Sequence, residues 1–234
     1  MLFRSKPPIA APVLGYALLR LRWRTLAAAG VEAGLFAGVA ALRLHGTPWL
    51  HDYVRNNALL LANDGLDVIR WSTAQQQFIN LQYLGMQVFD RPQVVSLCAY
   101  FTGGLFIGVW FLHVVRRRRQ PLSILDLSSG VVISLLPVYH RVYDASLLLL
   151  PLAWALSEGQ ARTWWHRVTV LACVMPFLAP GGTWLELQAG AGRIPQAVTQ
   201  AWWWNALVMP HQVWALLVMA TALLLAQAAE AQPS

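Results

Sequence analysis

The run Val94-Val-Ser-Leu-Cys-Ala-Tyr-Phe-Thr-Gly-Gly-Leu-Phe-Ile-Gly-Val-Trp-Phe-Leu-His-Val-Val115 contains no Asp, Glu, Lys or Arg, and Arg116-Arg-Arg-Arg119 closes it. A helix that crosses the hydrocarbon of a bilayer needs about 17–25 mostly apolar residues. A basic block directly after such a run is the usual mark of a cytoplasmic loop. Working outward, Thr25–Leu44 and Ala206–Ala228 have the same character. Ile9–Leu19, Leu122–Val138, Ala145–Leu156 and Val168–Pro180 are apolar but shorter, and would cross only by tilting, by using flanking Trp and Tyr, or as re-entrant segments. The expectation is an all-α, polytopic transmembrane helix bundle with about six or seven spans. It forms one transmembrane domain over residues 1–234, with extracytoplasmic loops carrying short interfacial helices.

Composition supports the membrane class. Apolar residues make up 57% of the chain and charged residues 12%, with a mean hydropathy of +0.49. A soluble domain has about 45–50% and about 25%, so this chain lacks the polar surface to stay dissolved. The formal charge of +7 does not indicate nucleic acid, because the basic residues sit in short clusters between apolar runs. Cys98 and Cys173 both lie inside such runs, where a free thiol packs as a small hydrophobe. The spacing contains no metal-ligand set, no disulfide framework and no dinucleotide-binding fingerprint. Ile9–Leu19 loosely mimics a secretory signal, but no small-residue cleavage site precedes Arg20-Leu-Arg-Trp-Arg24.

Alternating the segments across the membrane puts Arg20–Arg24, Arg116–Arg119, Arg162–Arg167 and the C-terminal tail on one face. That face holds nine of the seventeen basic residues in a small share of the loop length, which makes it cytoplasmic. The stretches 45–93 and 181–205 are then extracytoplasmic. The first of these has helical spacing from about Asp52 to Ile69, with Leu59, Leu60, Ala62, Leu66 and Ile69 on one face. Trp164-Trp165 and Trp202-Trp203-Trp204 suit the aromatic belts of the two interfaces. Asp126 should pair with the nearby Arg116–Arg119, and Glu32 should face the bundle interior or a cavity.

The residues most able to carry chemistry join two apolar runs: Tyr139, His140, Arg141, Tyr143 and Asp144. A plain turn would use Gly, Asn or Ser, and ionisable groups held at a membrane edge point to function. On helical backbone His140 and Asp144 share one face, as do Tyr139 and Tyr143. A carboxylate beside an imidazole suits phosphate binding or proton transfer; a structural, ion-paired hairpin is the alternative. Asn80 and Gln82 offer paired donors and acceptors for sugar hydroxyls, although amides are common in any wet loop. Lys6, before Pro7-Pro8, is placed to meet a lipid phosphate or to anchor in the headgroups. His211, after Pro210, opens the last helix and could cap a substrate groove. Among outer acids, Asp52 beside His51 is the best substitute for Asp144 as a base.

Pro137-Val-Tyr-His-Arg-Val-Tyr-Asp144, running into Leu147–Pro151 and Trp154, resembles the late motif of glycosyltransferase family 87. Lys6-Pro7, an apolar run and Arg20-Leu-Arg-Trp-Arg24 are similar to that family's mid-chain segment, and Ile79-Asn-Leu-Gln82 and Pro210-His211 to features of one branch. The resemblance implies the C-type membrane fold in the plasma membrane. It also implies hexosyl or mannosyl transfer from a polyprenyl-phosphate sugar to an extracytoplasmic glycan or lipid acceptor, with no cofactor; a metal can assist such enzymes, but the sequence offers no ligand cluster for one. His140, Arg141 and Lys6 would offset the phosphate charge, and Asn80, Gln82, Tyr139, Tyr143 and His211 would line the substrate site. The family's catalytic Asp lies upstream of the Lys-Pro segment, and here only five residues precede Lys6. The chain is therefore expected to be the C-terminal part of a larger enzyme and inactive alone, with Asp144 and Asp52 as the remaining candidate bases. The rival expectation is a non-catalytic membrane protein or a component of a lipid or solute transporter, for which paired repeats and midplane charges would be the mark.

Overall fold

The computed structural model of the chain describes residues 7–43, 51–52, 55, 79–89, 91–121, 123–137, 142–157, 163–178 and 181–231. Every regular element among them is helical. In chain order these are α1 (Pro7–Leu19), α2 (Trp23–Arg43), α3 (Leu81–Met86), α4 (Pro92–Arg116) and α5 (Ile124–Ser134). A 3-10 helix (Val142–Leu148) then runs straight into α6 (Leu149–Leu156). The last are α7 (Trp164–Leu178), α8 (Gly182–Gly190), α9 (Gln196–Thr199), a π-helical turn (Trp204–Val208) and α10 (His211–Ala231).

Among the described residues three helices, not six or seven, are long and apolar enough to cross a membrane: Trp23–Arg43, Gln93–Arg116 and His211–Glu230. They make the chain a membrane-associated, multi-pass protein. The correction has a simple cause. At 1.5 Å per residue, α1 is about 20 Å long, α5 about 17 Å and α7 about 22 Å, against about 30 Å of hydrocarbon. The segment Ala145–Leu156 is shorter still as α-helix, because its first residues are wound as 3-10. An apolar run of this length belongs to a buried core helix as readily as to a span.

The core shows this directly. Helix α5 is buried nearly all round, from Leu125 and Asp126 through Ser128 to Ile133, and packs against α1, α4, α6 and α10. The last helix lies along both α5 and α7, burying Val213, Leu216, Ala220, Leu223 and Gln227 at steps of three and four residues. That spacing is one helical stripe. Gly130 lets α4 come close to α5, since a Cβ there would stand 2.7 Å from the Trp110 ring. The Trp110 indole N–H donates to the Asp126 carbonyl oxygen at 2.8 Å.

Direction along the bundle follows from three contacts. Tyr16, near the end of α1, meets Ser123 and Asp126 at the start of α5, so these two helices run antiparallel. Gln212, at the start of α10, donates to the Pro176 carbonyl oxygen near the end of α7 at 3.1 Å. Glu230, at the far end of α10, pairs with Arg117 at 3.3 Å. The bundle thus has two distinct ends. One gathers Arg20, Arg116–Arg119, Asp126, Glu230 and the start of α7. The other gathers the start of α10, the ends of α5 and α7, and the 3-10 helix.

At the Arg-rich end the polar groups hold helices together. The Arg20 guanidinium donates to the carbonyl oxygens of Arg117, Gln120 and Pro121. Asp126, 1% exposed, accepts from Gln227 at 3.0 Å and from the Tyr16 hydroxyl at 3.4 Å, and lies 3.6 Å from Arg117. The expected pairing of Asp126 with the arginine block is present, joined by two partners that spacing does not reveal. Arg167, in the first turn of α7, donates to the Ser157 carbonyl oxygen and lies 5.0 Å over the Trp154 ring. Glu32 behaves differently from the expectation. It is exposed on the outer surface of α2 and does not face the bundle interior, because α2 is packed chiefly against α1.

Candidate functional site

The opposite end is built around the short helix α3. Asn80 is its N-cap: the side-chain oxygen accepts from the Tyr83 backbone N–H at 2.9 Å, which satisfies one of the orphan donors of the first turn. The segment is not a wet loop. Ile79 and Asn80 are fully buried, and Leu81, Gln82 and Tyr83 are nearly so. It is tied to α5 by the Leu81 N–H, which donates to the Leu136 carbonyl oxygen at 2.9 Å. Pro137 then packs against Gly103 of α4, where a Cβ would come within 2.5 Å of the proline ring. The chain that leaves Pro137 is the one that carries Tyr139, His140, Arg141, Tyr143 and Asp144.

Of these five, Tyr139, His140 and Arg141 lie outside the described residues. The backbone of Tyr143 and Asp144 opens the 3-10 helix Val142–Leu148, which packs against α5, α6 and α7; their side chains lie outside what is described. Lys6 also lies outside the described residues. Asp52 is exposed, with His51 3.8 Å away. The other described polar candidates are buried or partly buried. His211 is half-buried, its ring Nδ1–H donating to the Val208 carbonyl oxygen at 2.7 Å. The proposed interfacial helix from about Asp52 to Ile69 falls mostly on residues outside the description.

Several buried polar atoms of the bundle are left over, Arg20 Nε, Arg117 Nη1 and Gln227 Oε1 at the Arg-rich end among them, and at this end the Asn80 amide nitrogen is one. It is buried, and among the described residues it has no hydrogen-bond partner. A buried donor left unmade costs about 1–3 kcal/mol, so a ligand that supplies an acceptor there gains from it. Three further polar groups of this end come from the structure. The Tyr83 hydroxyl is pushed well above the usual tyrosine range by burial, with the Glu186 carboxylate adding to the effect. Burial raises the Glu186 carboxyl in turn. Gln212 caps the Pro176 carbonyl near the end of α7, one of the carbonyls a helix end leaves without a partner. The tell-tale for Gln212 was its place directly after Pro210-His211. Tyr83 and Glu186 are too far apart in sequence for any spacing rule to join them.

Among the described residues no group of three or more His, Cys, Asp or Glu is placed to hold a metal ion. The chain matches no protein-family model, no curated protein and no solved structure.

Proposed function

We propose that the end of the bundle around Asn80 binds the head of a polyprenyl-phosphate sugar, and that the chain is part of a membrane hexosyl- or mannosyltransferase resembling glycosyltransferase family 87. The observation that carries this reading is the buried Asn80 amide. Among the described residues its nitrogen has no hydrogen-bond partner, and it is held through Leu81 and Leu136 against the chain that runs into Tyr139–Asp144. An amide of this kind reads a sugar hydroxyl, and an imidazole and a guanidinium nearby in the chain suit a phosphodiester. The chemistry is inverting transfer: a carboxylate takes the acceptor hydroxyl's proton, its oxygen attacks the anomeric carbon, and the polyprenyl phosphate leaves with the bonding pair. His140 and Arg141 would stabilise the departing phosphate; no residue of this chain matches the family's catalytic Asp, and Asp144 and Asp52 stand only as substitutes for it. On this reading the Arg-rich end faces the cytoplasm of the plasma membrane and the Asn80 end faces outward.

The test is binding, which does not depend on turnover. The chain is reconstituted in nanodiscs and titrated with polyprenyl-phosphate mannose and with bare polyprenyl phosphate. Saturable binding that favours the sugar-bearing lipid is expected. Asn80→Ser keeps a capping oxygen for α3 but removes the amide donor, and should weaken the sugar-bearing lipid about tenfold, the worth of one such bond. Equal binding of both lipids by both proteins would contradict the reading.

A further inference from the structure

Glu32 sits at the middle of α2, the tenth of its 21 residues. The helix is long and apolar enough to cross a membrane, yet only 6% of its apolar window is buried. On the face that Glu32 shares with Thr25, Ala28, Phe36 and Val39 every residue is exposed, Phe36 at 62% and Val39 at 52%. Among the described residues no ion pair or hydrogen bond reaches the Glu32 carboxylate. A carboxylate at the centre of the hydrocarbon is costly, and such residues face a protein partner or a wet cavity. No other helix of the described bundle supplies either one on this side.

We infer that this face of α2 docks a transmembrane helix of another polypeptide that carries an arginine or lysine at mid-membrane depth. Charge complementarity selects the occupant. Among the described residues a second copy of this chain does not supply the cation, because the candidate spans hold Arg only at their ends: Arg24 and Arg43 of α2, and Arg116 of α4. Two copies face to face would set carboxylate against carboxylate. A guanidinium at the same depth satisfies both oxygens of Glu32 at once and covers Phe36 and Val39 with its helix backbone. The inference is independent of the lipid-linked sugar reading, since α2 contributes none of the residues around Asn80.

The experiment uses the full chain in phosphatidylcholine vesicles, with a donor fluorophore on Cys98, which is exposed on α4. The probes are two acceptor-labelled Leu/Ala transmembrane peptides, one with a central Arg and one with a central Leu. The Arg peptide should associate at least tenfold more tightly than the Leu peptide, and Glu32→Leu should abolish that preference. Gly34→Leu lies on the opposite face of α2, where no atom stands within 4 Å of a Cβ, and should leave the preference intact. Equal association of the two peptides would overturn the inference, as would a preference that survives Glu32→Leu or is lost with Gly34→Leu. Self-association of the chain that depends on Glu32, with no preference between peptides, would overturn it in favour of a second copy.

Discussion

Helices α2 and α10 have the same length, 21 residues, and closely similar hydropathy. The structure treats them as opposites. The apolar window of α10 is 56% buried and that of α2 is 6% buried. Each carries a strongly polar side chain within its candidate span. Gln227 of α10 is fully buried and donates to Asp126 at 3.0 Å, whereas Glu32 of α2 is exposed. Apolar content measures only whether a helix tolerates the hydrocarbon; neighbours decide whether it is core. A polar group inside such a helix shows where a neighbour must be, because its hydrogen-bonding capacity has to be met.

The largest test of this contrast is at the polar groups themselves. Asp126→Ala leaves Arg117, Gln227 and Tyr16 facing an empty position and should cost about 3–5 kcal/mol, the loss seen when one partner of a buried pair is removed. Glu32→Ala should leave the stability of the chain alone unchanged within about 0.5 kcal/mol. Equilibrium unfolding in mixed micelles measures both, and comparable losses would break the comparison. Next comes packing. Leu216 is fully buried, so Leu216→Ala should cost about 2–5 kcal/mol, while Leu35→Ala, at a side chain 67% exposed, should stay within about 0.5 kcal/mol.

Glycines sharpen the contrast at a smaller scale. Gly130→Ala of α5 drives a methyl into the Trp110 ring, with contacts of 2.7 and 2.9 Å, and should cost about 1–3 kcal/mol by overpacking. Gly34→Ala of α2 meets nothing within 4 Å and should stabilise the helix by roughly 0.5–1 kcal/mol. The smallest effect belongs to the turn between α1 and α2. There Leu21 holds a left-handed φ of 51°, and the Arg22 N–H donates to the Ala17 carbonyl oxygen at 2.9 Å. This is the arrangement in which glycine normally follows a helix. Leu21→Gly should raise the melting temperature slightly, by a free energy of up to about 1 kcal/mol.

Much of this was legible in the residues, though unevenly. The three long spans were, because a run the length of Val94–Val115 has few other uses. The short runs were over-read as spans: Leu122–Val138 looks the same whether its neighbour is lipid or protein, and only the structure shows α5 enclosed by four helices. The pairing of Asp126 with the Arg116–Arg119 block was legible from proximity along the chain. Its partners Tyr16 and Gln227 were not, since each is more than a hundred residues away. Asn80 and Gln82 were legible as chemistry but not as buried groups, because the residues around them read as a polar loop. The apolar Ile79, Leu81 and Tyr83 interleaved with them carried that information.

The same logic distinguishes the two ends of the bundle. At one, Arg20, Arg117 and Asp126 bind helix to helix, with Arg20 Nε, Arg117 Nη1 and Gln227 Oε1 left over; at the other, among the described residues, the buried Asn80 nitrogen has no hydrogen-bond partner. The central claim is that the second end receives the ligand. Photo-crosslinking tests it most directly: a polyprenyl-phosphate sugar with a diazirine near the phosphate is irradiated with the reconstituted chain, and the adducts are mapped by mass spectrometry. Adducts within residues 79–83 and 136–148, competed away by unlabelled donor, are the predicted result. Competed adducts confined to residues 116–127 at the Arg-rich end would contradict it.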